Sequence, residues 1–236
     1  MSSNNTKISS TDLYSEYFGH KVEHLAQILP HLRENTDRLV WTAGDSSLDN
    51  KYWFRDQGAA PAVYRDILYP PQCKKDVTYW LNYFLCQEQT ETIPTSTRRH
   101  RPRTAAINAA VEATTLNERT FRLRPQDVFI RDNIQRDDIL VVSVGGNDVA
   151  LMPLPCTIAS ILGLVLCTPK VCIDKGCTAG TVPVDDCCCG CGPSLLSCAC
   201  ACPPCLGYNR HMFGTRVQKY IERLVAKTKP VKSSCA

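Results

Sequence analysis

The 236-residue chain is predicted to be an α/β protein. Short apolar runs end in Gly-containing turns, and stretches of helical periodicity alternate with them. The strongest run, ILVVSV at 139–144, is continuous rather than alternating, as in a parallel strand covered on both faces. With 44% apolar and 21% charged residues the chain is not largely disordered, and a formal charge of +4 is too small to indicate nucleic acid by itself.

Residues 1–10 are expected to be a flexible lead and 11–236 a single domain, with a cysteine-rich insert at 156–205. From Thr11 to Glu34, Leu13, Tyr17, Val22, Leu25, Ile28, Leu29 and Leu32 recur at three- and four-residue steps, predicting one amphipathic helix with Thr11 as N-cap. His20 and His24 share that helix at a metal-compatible i, i+4 spacing but lack an evident acidic or Cys partner, so they are assigned to its surface. RLVWTA (38–43) predicts a buried strand running into Gly44, followed by a helix. Segment 56–72, with Pro61, Pro70 and Pro71, predicts a loop. DVTYWLNYFLCQE (76–88) predicts an aromatic helix whose Tyr79, Trp80, Tyr83 and Phe84 line the core or a substrate cleft.

The basic run Arg98–Arg103 has no interleaved aromatics and is assigned to a solvated loop; no nucleic-acid partner is expected. TAAINAAVEATTL (104–116) predicts a second short strand and a turn, 127–135 an amphipathic segment, and 211–227 an amphipathic helix ahead of an unpatterned tail. The N-terminus has no apolar signal region. The longest apolar run, 151–167, is interrupted by Pro153 and Pro155 and its clean part is too short to span a bilayer, so a soluble intracellular chain without a stable membrane span is expected.

Cysteine is unusually abundant: of 15, all but Cys73, Cys86 and Cys235 lie within 156–205. The pairs Cys188/Cys191 and Cys202/Cys205 have the C-x-x-C spacing that can enclose a structural zinc. Ten residues separate the pairs, fewer than the usual ~15–20, so zinc, disulfides and unliganded or lipid-modified thiols all stay open.

Two strand ends carry polar, Gly-flanked clusters: Gly44-Asp45-Ser46 with Asp49, and Gly145-Gly146-Asn147-Asp148. The carboxyl ends of parallel strands are where such sheets hold ligands. Together, in this order, the clusters resemble blocks I and III of the SGNH (GDSL-type) hydrolase family. The resemblance implies a three-layer, flavodoxin-like parallel sheet and hydrolysis of a small ester or an acylated carbohydrate or lipid, with no catalytic cofactor. It makes Ser46, beside Asp45, the nucleophile and a backbone oxyanion donor. Asn147, in the block that begins at Gly145, becomes the side-chain donor. The nearest counterpart of block II is 108–115, with Ala113 where the family has Gly; a φ above zero there would strain an alanine.

The family's Asp-x-x-His is not found. The one histidine downstream of Asn147 is His211, with Tyr208 three residues before it, and it reads as a helix-end residue more than as a base. Loss of a triad base costs on the order of 10⁶ in kcat, whereas one oxyanion donor costs about 2.7–4 kcal/mol. The expectation is therefore an SGNH hydrolase that is C-terminally incomplete or inactive in this form; the alternatives are a non-catalytic binding module of the same fold and a cysteine-rich metal-binding protein. In the flavodoxin-like order, strand 139–144 would lack its fourth neighbour. That predicts an exposed apolar edge, covered by the insert or a partner chain, and poor solubility.

Overall fold

The computed structural model describes residues 7–90, 103–153, 155–167, 169–174, 211–228 and 232–235. In chain order the elements are β1 (Ile8–Ser9), α1 (Ser10–Leu13), α2 (Val22–Asn35), β2 (Arg38–Gly44), β3 (Gln57–Ala59), α3 (Ala62–Arg65), β4 (Leu68–Tyr69), β5 (Gln72–Lys74) and α4 (Val77–Thr90). They continue with β6 (Thr104–Asn108), α5 (Leu116–Phe121), α6 (Pro125–Asn133), β7 (Ile139–Ser143), α7 (Gly146–Ala150), α8 (Pro155–Cys167) and α9 (Lys170–Asp174). A π-helical turn (His211–Arg216) leads into α10 (Val217–Leu224), and β8 (Lys232–Cys235) closes the series. The chain divides into two compact units, the first formed by Met1–Thr114, Leu123–Ser143 and Leu224–Ala236, the second by Thr115–Arg122 and Val144–Arg223.

The first unit is built on a four-stranded, all-parallel sheet in the order β6-β2-β7-β8. The α/β class is thus as predicted, and the buried run 38–43 is one of its two inner strands: Trp41 of β2 lies in register between Ile107 of β6 and Leu140 of β7, and all three are fully buried. Against this sheet α2 contributes Leu25, Ile28 and Leu32 and α6 contributes Ile130, all buried. Each such side chain is worth about 1.5–3 kcal/mol relative to exposure.

Two polar side chains tie the sheet to the helices beside it. Asn82 of α4 donates to the Ala106 carbonyl at 3.0 Å and accepts from the Ala106 N–H at 2.8 Å, standing in for a strand beside β6. Asp138 accepts from Arg33 at 2.6 and 2.5 Å and from the Leu39 N–H, the Trp41 indole and the Gln135 N–H, each at 2.9 Å. Burial raises the Asp138 pKa, but the Arg33 guanidinium and the three N–H donors outweigh it and hold the carboxyl below its usual range.

Several expectations are corrected. Ile8, assigned to the flexible lead, pairs in parallel with Leu68. The single helix over 11–34 is two: α1 is capped by Ser9, whose Oγ accepts from the Asp12 N–H at 3.2 Å, and the chain then turns at Gly19 (φ 76°) before α2 starts at Val22. The 3.6-residue pattern does not reveal this break, because Tyr17 keeps the helical spacing across the turn although it is only half-buried. Loop 56–72 contains three short strands or strand starts and α3. The edge of β7 is not bare either, since Ile139–Val142 pair with Lys232–Cys235 of β8. Four residues joined through backbone hydrogen bonds need no hydrophobic pattern, which is why the tail looked unpatterned.

In the second unit, Thr115 caps α5 through a reciprocal box with Glu118: the Thr115 hydroxyl accepts from the Glu118 N–H, and the Glu118 carboxylate accepts from the Thr115 N–H, both at 3.2 Å. Gly145 (φ 101°) opens α7, and a Cβ there would lie 2.8 Å from the Phe213 ring, so position 145 needs glycine for both backbone and space.

Candidate functional site

Ser46 sits just past the C-terminal end of an inner strand. β2 ends at Gly44 (φ 141°), where a Cβ would fall 1.8 Å from the Ser143 carbonyl oxygen, so the close approach of β2 and β7 requires glycine. The chain then makes one turn, with the Leu48 and Asp49 N–H groups donating to the Asp45 carbonyl at 3.1 and 2.9 Å. The turn stops there. The helix expected after this strand, with its positive end behind Ser46, does not form.

Asp45 is buried, and its carboxylate orients Ser47 rather than Ser46: Oδ1 accepts from the Ser47 N–H at 3.1 Å and from its hydroxyl at 2.9 Å. Ser47 Oγ also lies 2.6 Å from Ser143 Oγ. A hydroxyl has one proton, so Ser47 donates to the carboxylate and accepts from Ser143. Ser46 is half-buried, and its hydroxyl makes no hydrogen bond among the described residues.

Next to this turn lies the segment expected to supply block II. The Val111 N–H donates to the Gly44 carbonyl at 2.9 Å, joining a point two residues before Ala113 to a point two residues before Ser46. Ala113 has φ 54°, in the left-handed region. Glycine favours that conformation, and here an alanine bears the strain.

Asp49 links the two segments. Fully buried, it accepts from Lys51 Nζ at 2.7 and 3.0 Å, from the Gly19 N–H at 3.0 Å, from the Glu112 N–H at 3.0 Å and from Asn108 Nδ2 at 3.4 Å. Its role is to hold the loops, not to meet a ligand. Glu112 is buried and accepts from the Trp53 indole N–H; burial raises its pKa against that bond. His20, expected on a helix surface, is instead buried ahead of α2, its Nδ1 2.8 Å from the Leu13 carbonyl. Burial, reinforced by Lys51 and opposed by Asp49, lowers its pKa to about 4. Asp76 caps α4 by accepting from the Tyr79 N–H at 2.8 Å, while burial pushes its pKa up to about 6.

Gly145, Asn147 and His211 belong to the second unit. Asn147 is buried in the first turn of α7, and its carbonyl accepts from the Leu151 and Met152 N–H groups, both at 3.0 Å. Asp148 accepts from the N–H groups of Leu116 and Asn117 at 2.6 and 2.8 Å, capping α5 from a distant segment. Burial raises the Asp148 pKa against those two bonds. His211 is buried as the first residue of the π-helical turn.

Sequence reasoning missed Lys51, Glu112, Trp53 and Asp76. A charged residue in sequence defaults to the surface, and only the proximity of Asp49 makes burial of Lys51 affordable. Of the aromatic set on α4, Tyr79 is buried, whereas Trp80, Tyr83 and Phe84 are exposed.

Cys188, Cys191, Cys202 and Cys205 lie outside the described residues. Among the described residues no group of three or more His, Cys, Asp or Glu side chains is placed to hold a metal. Cys73 is a buried free thiol whose pKa burial pushes up to about 11, too high for a reactive thiolate at neutral pH. No helix of the described residues is long and apolar enough to cross a membrane. No protein-family model, curated protein or solved structure matches the chain.

Proposed function

We propose that the chain is an SGNH-type serine ester hydrolase in which Ser46 is the nucleophile. The observation that carries the reading is the position of Ser46: in the turn directly after an inner strand of a parallel sheet, with its hydroxyl uncommitted among the described residues and the 108–113 segment bonded alongside. Strand order β6-β2-β7-β8 supports it, because second-first-third-fourth begins the flavodoxin-like order. The left-handed backbone at Ala113, a glycine position in the family, also supports it.

In this reading the Ser46 hydroxyl attacks the ester carbonyl and its proton passes to a base. The N–H groups of Ser46 and Ala113 hold the oxyanion, and the role of Asn147 is the one the family resemblance implies. Metal is not needed for these steps. The substrate is a small ester or an acylated carbohydrate or lipid. Hydrolysis of a short-chain aryl ester and labelling of Ser46 by a fluorophosphonate are expected. Ser46→Ala should abolish both, and Asn147→Ala should lower kcat by about 10²–10³. Activity unchanged in Ser46→Ala would overturn the nucleophile.

A non-catalytic binding module is the second reading. It is favoured by the structural engagement of the nearby polar groups: Asp45 holds Ser47, Asp49 holds Lys51, and His20 is turned to the Leu13 carbonyl. Fluorophosphonate labelling of the unmodified protein separates the two readings: labelling at Ser46 together with turnover marks the hydrolase, and absence of both marks the module.

A further inference from the structure

The first unit carries an exposed aromatic cluster set over a buried acid. Tyr17 packs edge-to-face on Phe18 (centroids 4.7 Å, interplanar 83°) and on Tyr52 (4.8 Å, 88°), and Tyr52 does the same with Trp53 (5.7 Å, 88°). Successive rings are thus nearly perpendicular, forming the walls of a corner rather than a stack. The rings are open to solvent: Tyr52 is 52% and Trp53 66% exposed. Large aromatics so exposed forfeit burial energy, which points to a ligand-contacting role.

Beneath the corner lies Glu112, 2% exposed. One carboxylate oxygen accepts from the Trp53 indole N–H; the other, Oε2, is buried without a close hydrogen-bond partner among the described residues, the Tyr17 hydroxyl being the carboxylate's other neutral neighbour. A buried carboxylate oxygen left unpaired is costly unless a positive charge approaches. Lys51 does not supply it, since both Asp49 oxygens already hold its ammonium at 2.7 and 3.0 Å. Asp49 and Glu112 thus both face Lys51, whose ammonium is committed to Asp49.

We propose that Tyr17, Tyr52 and Trp53 form a binding corner for a small quaternary ammonium compound, with Glu112 as the buried counter-charge. Ring faces attract a cation through their quadrupole, most strongly at Trp. They offer few acceptors, so a primary ammonium would give up water hydrogen bonds without replacement; a trimethylammonium group has no N–H to satisfy. The site is independent of the role of Ser46.

Titration calorimetry of the full chain at pH 8, with constant ionic strength, tests this using choline, tetramethylammonium and the neutral isostere 3,3-dimethylbutan-1-ol. Saturable binding of both cations is expected, with the isostere weaker by at least about tenfold, and Trp53→Leu and Glu112→Gln weakening choline by at least about tenfold. Should Glu112→Gln fail to fold, Tyr52→Leu, at a half-exposed ring, takes its place with the same expected loss. Equal binding of the isostere, unchanged choline affinity in Trp53→Leu and Tyr52→Leu, or no saturable binding of either cation would overturn the proposal. So would binding of phosphatidylcholine vesicles without binding of free choline.

Discussion

Lys51 and Asp49 form an ion pair in which neither side chain has any solvent exposure, with Nζ 2.7 Å from one carboxylate oxygen and 3.0 Å from the other. The pair ties the turn that carries Ser46 to Gly19 and to Glu112, whose backbone N–H groups donate to Asp49. Removing one partner leaves the other charge buried and unpaired. Lys51→Met is therefore expected to cost about 3–5 kcal/mol in urea unfolding, and Asp49→Asn combined with Lys51→Met should recover part of that loss. Equal stability of Lys51→Met and the parent protein would contradict the pairing.

Backbone strain at two neighbouring positions predicts opposite effects. Ala113→Gly relieves a left-handed alanine (φ 54°) and is expected to stabilise the protein by about 0.5–1 kcal/mol, after the added entropy of glycine in the unfolded chain. Gly44→Ala places a Cβ 1.8 Å from the Ser143 carbonyl oxygen and is expected to destabilise by on the order of 3–5 kcal/mol. Denaturant midpoints of the two variants measure both.

His20 and Asp76 impose opposing pH dependences over nearly the same range. His20 titrates at about 4 when folded and near 6.5 unfolded, so its contribution is present above ~6.5 and is lost as pH falls toward 4. Asp76 titrates at about 6 when folded and near 3.9 unfolded, so its burial costs stability above ~6 and the cost disappears as pH falls toward 4. Between pH 4 and 6 the two slopes cancel. Relative to the parent protein, Asp76→Asn should gain stability with rising pH at about 1.4 kcal/mol per unit in that window, and His20→Asn should lose it at a similar rate. Unfolding titrations that show parallel pH profiles for all three proteins would refute both assignments.

The β8 pairing predicts the effect of truncation. A chain ending at Thr228 loses the partner of Ile139–Val142 and exposes the backbone edge of β7. Light scattering is expected to show aggregation of the shortened protein under conditions where the full chain is dispersed; equal dispersion would mean that β8 does not protect that edge.

The sequence by itself determined the α/β class, three strands of the sheet from their apolar runs, and the strand-end positions of Ser46 and Asn147, although β7, expected to be covered on both faces, buries only Leu140 and Val142. These are local properties: runs of Val, Ile, Leu and Ala at 39–43, 104–107 and 139–142, and the glycines that stop them or permit close approach. Tertiary structure alone decided that the tail supplies a fourth strand, that Asp138 joins α2, β2 and β7, that Asp148 caps a helix begun 32 residues earlier, and that Lys51, Glu112 and His20 are buried. The physical reason is common to all of them. Burial of a charge or pairing of a polar tail is favourable only beside a partner distant in sequence, and nothing in a residue's own neighbourhood announces that partner.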